Sequence, residues 1–302
     1  KPYSIFEGQC ASGDQSRILA EAMPGDKMRR KRNSYFLFDY GPQMASPNAF
    51  SNGVTNAPLG AISKNLGITG GGGTLVGFEQ SGMLVLDRAA RLIHQGVFTS
   101  CCAGAAEEYS EIVEGAYRTL HWYNGEKPAY LPFPAEKNSP ATKGFLLSEA
   151  SVFFFMTSDA DARLLPEKKC CLFSPVSDPA GFDAPVDLII SGAGAGPQDE
   201  YELSALHTIL SSQKNPPALI FSKPFFGETF APGSLLSGAI AWDILVNGQA
   251  YPSFPAHPSL KEKISCHPDF TAIKSILVIA AGRDKQVQAG LFTKPVEPEV
   301  KR

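Results

Sequence analysis

Three glycine-bearing turns constrain this chain more than any other feature: residues 77–82, 191–199 and 223–229. Each follows a short apolar run and precedes a stretch with helical spacing. A strand that feeds a helix through a tight turn is the repeating unit of α/β architecture. It also places the turn residue at a helix N-terminus, where free backbone donors and the helix dipole favour a developing negative charge. The side chains in those turns therefore decide what chemistry is open to the chain.

The runs around the turns read consistently. Residues 74–77 form a short strand, and Met83, Leu84, Leu86, Ala89, Leu92 and Ile93 recur at helical spacing until Gly96 stops the helix. Residues 97–103 read as a buried strand and Gly104 as a turn. Residues 151–156 are almost purely apolar, which predicts a strand buried on both faces. Further strands are expected at 187–191, 218–221 and, as the last one, 275–281, with helices at 200–211 and 234–245. Nearer the start, 2–8 reads as a strand and 15–23 as a helix. Ser46-Pro47-Asn48 reads as a helix start that brings Phe50, Val54 and Ala57 near one face. The five basic residues in 27–32 read as a solvated turn, with docking of an acidic protein as the other reading. Residues 126–142 are rich in proline and charge and read as loop.

Composition narrows the function classes. Of 302 residues, 43% are hydrophobic and 19% charged, so the expected molecule is globular with much buried surface. A net charge of −3 argues against nucleic acid as the main ligand. No stretch resembles a signal peptide or a long apolar span, so the expectation is a cytoplasmic protein without membrane insertion. The six cysteines fall as two adjacent pairs and two singletons, which fits reduced thiols better than a disulfide framework or a zinc site. No metal and no cofactor are implied.

The turns themselves lack reactive groups. A nucleophile would stand in the middle of 77–82, where the residue is Gln80, and an amide is no nucleophile. Ser191 heads the second turn, where a base would be needed. The third carries Glu228 and no histidine.

In chain order these segments resemble the β-ketoacyl synthases of the thiolase-like superfamily. Ser46-Pro47 through Asn56, Gly60, Leu66-Gly67 and Gly71 resemble the stretch before that family's nucleophile, and residues 96–107 the strand after it. Pro132-Phe133 and Gly144-Phe145-Leu146-Leu147-Ser148-Glu149-Ala150 resemble its GFVLGEGA segment. Residues 191–202 are similar to HGTGTPLND..E without a gap, and 223–229 to K...GHT. The resemblance implies a five-layered αβαβα fold of two pseudo-equivalent halves, 1–175 and 176–302. The N-terminal half is abbreviated and the glycine-rich C-terminal turn is replaced by Ala281-Gly282-Arg283-Asp284-Lys285.

The same resemblance places the family's catalytic cysteine at Gln80 and its two histidines at Ser191 and Glu228. All three are degenerate, and an ionised Glu228 would repel an oxyanion. Cys10, in Cys10-Ala11-Ser12-Gly13, looks like a nucleophile turn but is followed by a basic loop where a strand belongs, so it reads as a loop thiol. Glu79-Gln80-Ser81-Gly82 is similar to the chain length factors, the β subunits of type II polyketide ketosynthases. That likeness implies a non-catalytic, chain-length-determining subunit in a heterodimer with an active ketosynthase α subunit. The partners are that subunit and an acyl carrier protein, whose phosphopantetheine arm enters through the active partner. It also puts the shared interface at 97–103.

Glu79 and Gln80 are candidate gating residues, and Phe50 and Val54 candidate walls of the product tunnel. Each has a plainer reading: a turn amide for Gln80, core packing for Phe50 and Val54, a cap for Ser191, a helix-start carboxylate for Glu228. The five histidines miss the matched catalytic positions. Two other functions remain open: decarboxylation of malonyl-carrier protein, and a purely structural partner role.

Overall fold

The computed structural model describes residues 4–10, 57–109, 111–120, 146–162, 169–194, 199–252, 260, 263–265 and 268–295. The expected helix at 15–23, the basic run at 27–32, the helix start at Ser46, both tunnel candidates Phe50 and Val54, and the loop at 126–142 lie outside the described residues.

Nine strands and seven helices are described. The strands are β1 Ser4–Cys10, β2 Gly72–Gly77, β3 Ser100–Glu107, β4 Ala150–Thr157, β5 Leu172–Val176, β6 Leu188–Ser191, β7 Ala218–Phe221, β8 Ser275–Ala281 and β9 Val287–Thr293. The helices are α1 Ala57–Leu66, α2 Ser81–His94, α3 Glu111–Thr119, α4 Asp159–Ala162, α5 Asp199–Ser212, α6 Lys223–Phe226 and α7 Ala231–Asn247.

The strands form two mixed sheets, ordered β2-β1-β3-β4 and β5-β9-β8-β6-β7. In the first, β1 runs parallel to β2 and β3, and β3 antiparallel to β4. In the second, β6 runs parallel to β7 and β8, and β8 antiparallel to β9. The four-strand order and sense are thus the same in both sheets, with β5 added antiparallel to β9 in the second.

Alternation along the strands explains how the layers stack. Leu188 and Ile190 of β6, Ile220 of β7, and Ile276 and Val278 of β8 face the core that holds α2 and α7. Their sequence neighbours Ile189, Leu219, Leu277 and Ile279 face the other way, onto Leu206 and Ile209 of α5. A strand has a period of two, so a sheet buried on both faces needs an unbroken apolar run. Helices α2 and α7 each touch both sheets and so lie between them.

The two central helices meet at a glycine. A Cβ on Gly82 would stand 2.3 Å from the Ala231 carbonyl oxygen and 2.7 Å from Ser234 Oγ. Only a residue without a side chain lets the start of α2 sit this close. There the Met83 amide donates to Ser234 Oγ at 3.0 Å.

Several expectations need correction. The strand expected at 97–103 begins at Ser100 and runs to Glu107. The Val97 and Phe98 amides instead donate to Leu92 O and close the end of α2, leaving Val97 55% exposed. Gly104 is no turn but the middle of β3, where a Cβ would stand 2.2 Å from the Phe153 ring on β4. β3 is hydrogen-bonded along both edges, to β1 and to β4. Strand β4 is an edge strand and not one buried on both faces: Phe154 packs on the core, but Phe155 is 58% exposed. Nor is β8 the last strand, since β9 follows it. Strand β5 and helix α3 carried no expectation at all.

Overpacking at a close contact costs on the order of 1–3 kcal/mol. We expect Gly82→Ala to lower stability by about that amount in chemical denaturation. Gly60→Ala in α1, where nothing lies within 4 Å of the new Cβ, should be neutral or raise stability by a few tenths to about 1 kcal/mol. Equal effects at the two glycines would contradict the packing described for α2 and α7.

Candidate functional site

The site lies where β2, β6, β7 and β8 end and the chain turns away. At the first of these ends, Ser81 donates through both its amide and its hydroxyl to Phe78 O, at 2.9 and 2.6 Å, and so fixes the turn into α2. Gln80 is buried and has helical backbone angles, and its side chain makes no cap. It reaches instead to the turn between β8 and β9, where Nε2 donates to both Asp284 carboxylate oxygens at 2.9 Å. Its Oε1 is buried without a hydrogen-bond donor and rests on Gly282, where a Cβ would stand 1.8 Å away.

Glu79, also buried, pairs with the same turn. Its Oε1 lies 2.7 Å from Arg283 Nε, and its Oε2 accepts from the Arg283 amide at 3.2 Å. Burial raises the Glu79 pKa first, and the nearby Glu228 charge raises it further, against the pull of Arg283 and Lys223. The Arg283 guanidinium stands over three rings, 5.4 Å from Phe78, 5.3 Å from Tyr117 and 5.9 Å from Phe230.

At the end of β7, Lys223 and Glu228 are both buried and form an ion pair of 2.5 Å. Burial works against the Lys223 charge, but Glu228, Asp199 and Glu79 more than offset it, so the ammonium is held. The other Glu228 oxygen accepts from the Phe230 amide at 2.8 Å. Phe230 has φ 57° and ψ −123°, a strained backbone for a residue with a side chain. The Glu228 clamp and the stacking of Phe230 on Tyr117, with centroids 5.7 Å apart, hold it there. The Glu228 backbone also pairs with Leu146 O and the Ser148 amide, which ties the 146–148 segment to this turn.

At the end of β6, the Ser191 hydroxyl donates to Glu202 Oε1 at 2.6 Å and accepts from the Ala193 amide at 3.1 Å. Glu202 accepts further from the amides of Ala193 and Ala281, and Asp199 from the Gly194 amide. These carboxylates of α5 take up the Ala193 and Gly194 amides of the glycine-rich turn. Burial pushes the Glu202 pKa up to about 7 against its hydrogen bond from Ser191 and the charge of Lys223.

Glu79, Glu202, Lys223 and Glu228 border one common cavity. Its volume is about 10 Å³, space for roughly one water molecule. Gln80 and Ser191 flank the cavity without lining it. Among the described residues no histidine lines it either; His94 is exposed and His207 sits on α5. Burial beside Cys102 pushes the Cys101 thiol up to about 12, which leaves it inert at neutral pH. Among the described residues the arrangement holds charge and braces turns against one another, and the cavity that Glu79, Glu202, Lys223 and Glu228 border is too small for an acyl group.

Sequence reasoning singled out Gln80, Ser191, Glu228 and Glu79. It missed that Arg283 and Asp284 answer Glu79 and Gln80. A signal was present, since a charged Arg-Asp pair replaces the glycine-rich turn of the resembled family. The pairing partner was not readable across about 200 residues of chain.

Known structures carry the same fold. The ishigamide ketosynthase/chain length factor superposes with TM-score 0.72 and 14% identity over 98% of this chain and 76% of that one. A type II polyketide acyl-carrier protein complex with its ketosynthase bound to the hexaketide gives 0.70 and 13%, over 96% and 78%. The oxazolomycin ketosynthase domain of Streptomyces albus gives 0.67 and 12%, over 100% and 57%. No family model and no curated protein matches the sequence. The likeness is therefore one of fold: this chain has the α/β fold with mixed sheets of the thiolase-like ketosynthases.

Removing one member of a buried ion pair leaves the other unpaired, at a cost of about 3–5 kcal/mol. Lys223→Ala should lose stability on that scale in urea unfolding, and a loss near zero would show that the pair is solvated. The raised Glu202 pKa gives a pH signature. A folded-state pKa above the unfolded value of 4.5 favours the folded chain at low pH, and that contribution fades as pH rises through about 7. The wild type should therefore lose stability from pH 5 to pH 8 relative to Glu202→Gln, and parallel melting curves for the two would contradict the assignment.

Proposed function

We propose that this chain is the non-catalytic, chain-length-determining subunit of a type II polyketide ketosynthase heterodimer in the cytoplasm. In this reading it has the five-layered thiolase-like architecture, with halves 1–175 and 176–302 and an abbreviated N-terminal half. The partner would supply the catalytic residues and receive the carrier protein. One observation carries the proposal. At the three strand ends where the resemblance puts a cysteine and two histidines, Gln80, Ser191 and Glu228 are buried and committed to Asp284, Glu202 and Lys223. The cavity beside them, which Glu228 lines, is about 10 Å³. The fold is also shared with a ketosynthase/chain length factor.

The chain by itself has no activity in this reading. Decarboxylation of malonyl-carrier protein finds no imidazole in the cavity lining among the described residues. In this reading the ketosynthase docks on the β2 edge of the first sheet. That strand pairs only with β1 among the described strands, and Val76 is 53% and Phe78 38% exposed. An open apolar edge of this kind invites a partner.

Co-expression with an active ketosynthase, followed by size-exclusion chromatography and intact mass, tests the proposal. A one-to-one complex is expected, and Val76→Lys should weaken it without lowering the melting temperature. A chain that ignores the ketosynthase defeats the reading. Substitutions that enlarge Phe50 or Val54 should shorten the product of the complex, whereas an unchanged product would leave a purely structural partner.

A further inference from the structure

The turn between β8 and β9 does more than connect two strands. It is a tight hairpin, with the Gly282 amide donating to Gln286 O at 2.9 Å and the Lys285 amide to Gly282 O at 3.0 Å. Asp284 Oδ1 accepts from the Gln286 amide at 3.1 Å, so the hairpin orients its own carboxylate. Lys285, at φ 67°, stands over the Tyr201 ring at 5.5 Å. Every side chain from 283 to 285 therefore has a partner outside the hairpin, and two of those partners, Glu79 and Gln80, are consecutive residues at the head of α2.

The surroundings of Arg283 have the makings of a ligand site. Phe78, Tyr117 and Phe230 present their rings to the guanidinium from three different elements, and Glu79 supplies the counter-charge. Aromatic faces around a carboxylate are how proteins select organic cations. The Arg283 side chain keeps 22% of its surface exposed, so the site opens to solvent.

We infer that the β8–β9 turn is a latch, in which Arg283 fills from within the chain a guanidinium-binding cage of Phe78, Tyr117, Phe230 and Glu79 and so shuts the turn at the head of α2. Emptying the cage frees the hairpin to lift from Gln80. An alkylguanidinium from solution then takes the vacated place. The inference stands on this geometry and not on the heterodimer reading, so either can fail without the other.

The test uses the whole chain with a reporter thiol, Gln80→Cys, in backgrounds with and without Arg283→Ala. Alkylation of the peptide carrying position 80 is followed by mass spectrometry with iodoacetamide. Labelling should be slow with Arg283 present and at least about tenfold faster without it, the scale of losing one strong cation–π contact from the closed state. Methylguanidinium at tens of millimolar should restore slow labelling in the Arg283→Ala background, and the same concentration of sodium chloride should not. Equal rates in the two backgrounds overturn the latch. A fast rate that methylguanidinium slows no more than salt does overturns the cage. If Arg283→Ala does not fold, Tyr117→Leu replaces it, since it removes one wall and keeps both charges. Faster labelling is again expected, and an unchanged rate again overturns the inference.

Discussion

An ammonium group buried in a protein interior keeps its charge only where counter-charge is within reach. Lys223 at the end of β7 sets that requirement here, and the surrounding turns are arranged to meet it. Glu228 lies against it, Asp199 and Glu79 add longer-range attraction, and the ammonium is held despite burial. The Glu228 that neutralises Lys223 also accepts the Phe230 amide and so holds a strained backbone at the head of α7. One ion pair thus links the charge balance of the site to the start of the central helix.

The balance is not even. Glu79, Asp199, Glu202 and Glu228 face two cations, Lys223 and Arg283, in a region with little access to water. Such an excess is relieved where burial makes protonation cheapest, and both Glu79 and Glu202 are pushed upward. Arg283 limits the problem because it comes from a separate turn and brings its own aromatic surroundings. The aromatic rings and Glu79 together hold a cation in a place where neither would suffice alone.

The fold was legible to the extent that it rests on local pattern. The runs at 218–221 and 275–281 match β7 and β8, because strands buried on both faces announce themselves as unbroken apolar stretches. The helix stopped by Gly96 is α2, ending at His94, and Gly96 has φ 71°. Legibility failed where a residue's meaning depends on a distant neighbour. Gly104 reads as a turn until Phe153 is seen against it, and Val97 reads as a strand residue until its amide is seen closing α2. Strand β4 looked fully buried because an apolar run does not say whether another layer covers it. At the site, the absence of reactive groups was visible residue by residue. The ion pairs there were not, since Glu79 and Arg283 lie 204 residues apart.

A pocket built for reaction leaves polar groups poorly satisfied so that a substrate can complete them, and that costs stability. At these strand ends the opposite has occurred. Asp199 and Glu202 take up the Gly194 and Ala193 amides, Glu228 takes up both Lys223 and the Phe230 amide, and Asp284 takes up the Gln80 amide group. Among the described residues of the site, what is left unpaired is small: one Gln80 oxygen above Gly282, the Thr229 hydroxyl and a volume near that of a water molecule. The Gln80–Asp284 contact joins a turn of the first sheet to one of the second, so satisfying it stiffens the junction between them. The groups at these strand ends meet one another, and through them the turns that lead into both central helices are braced.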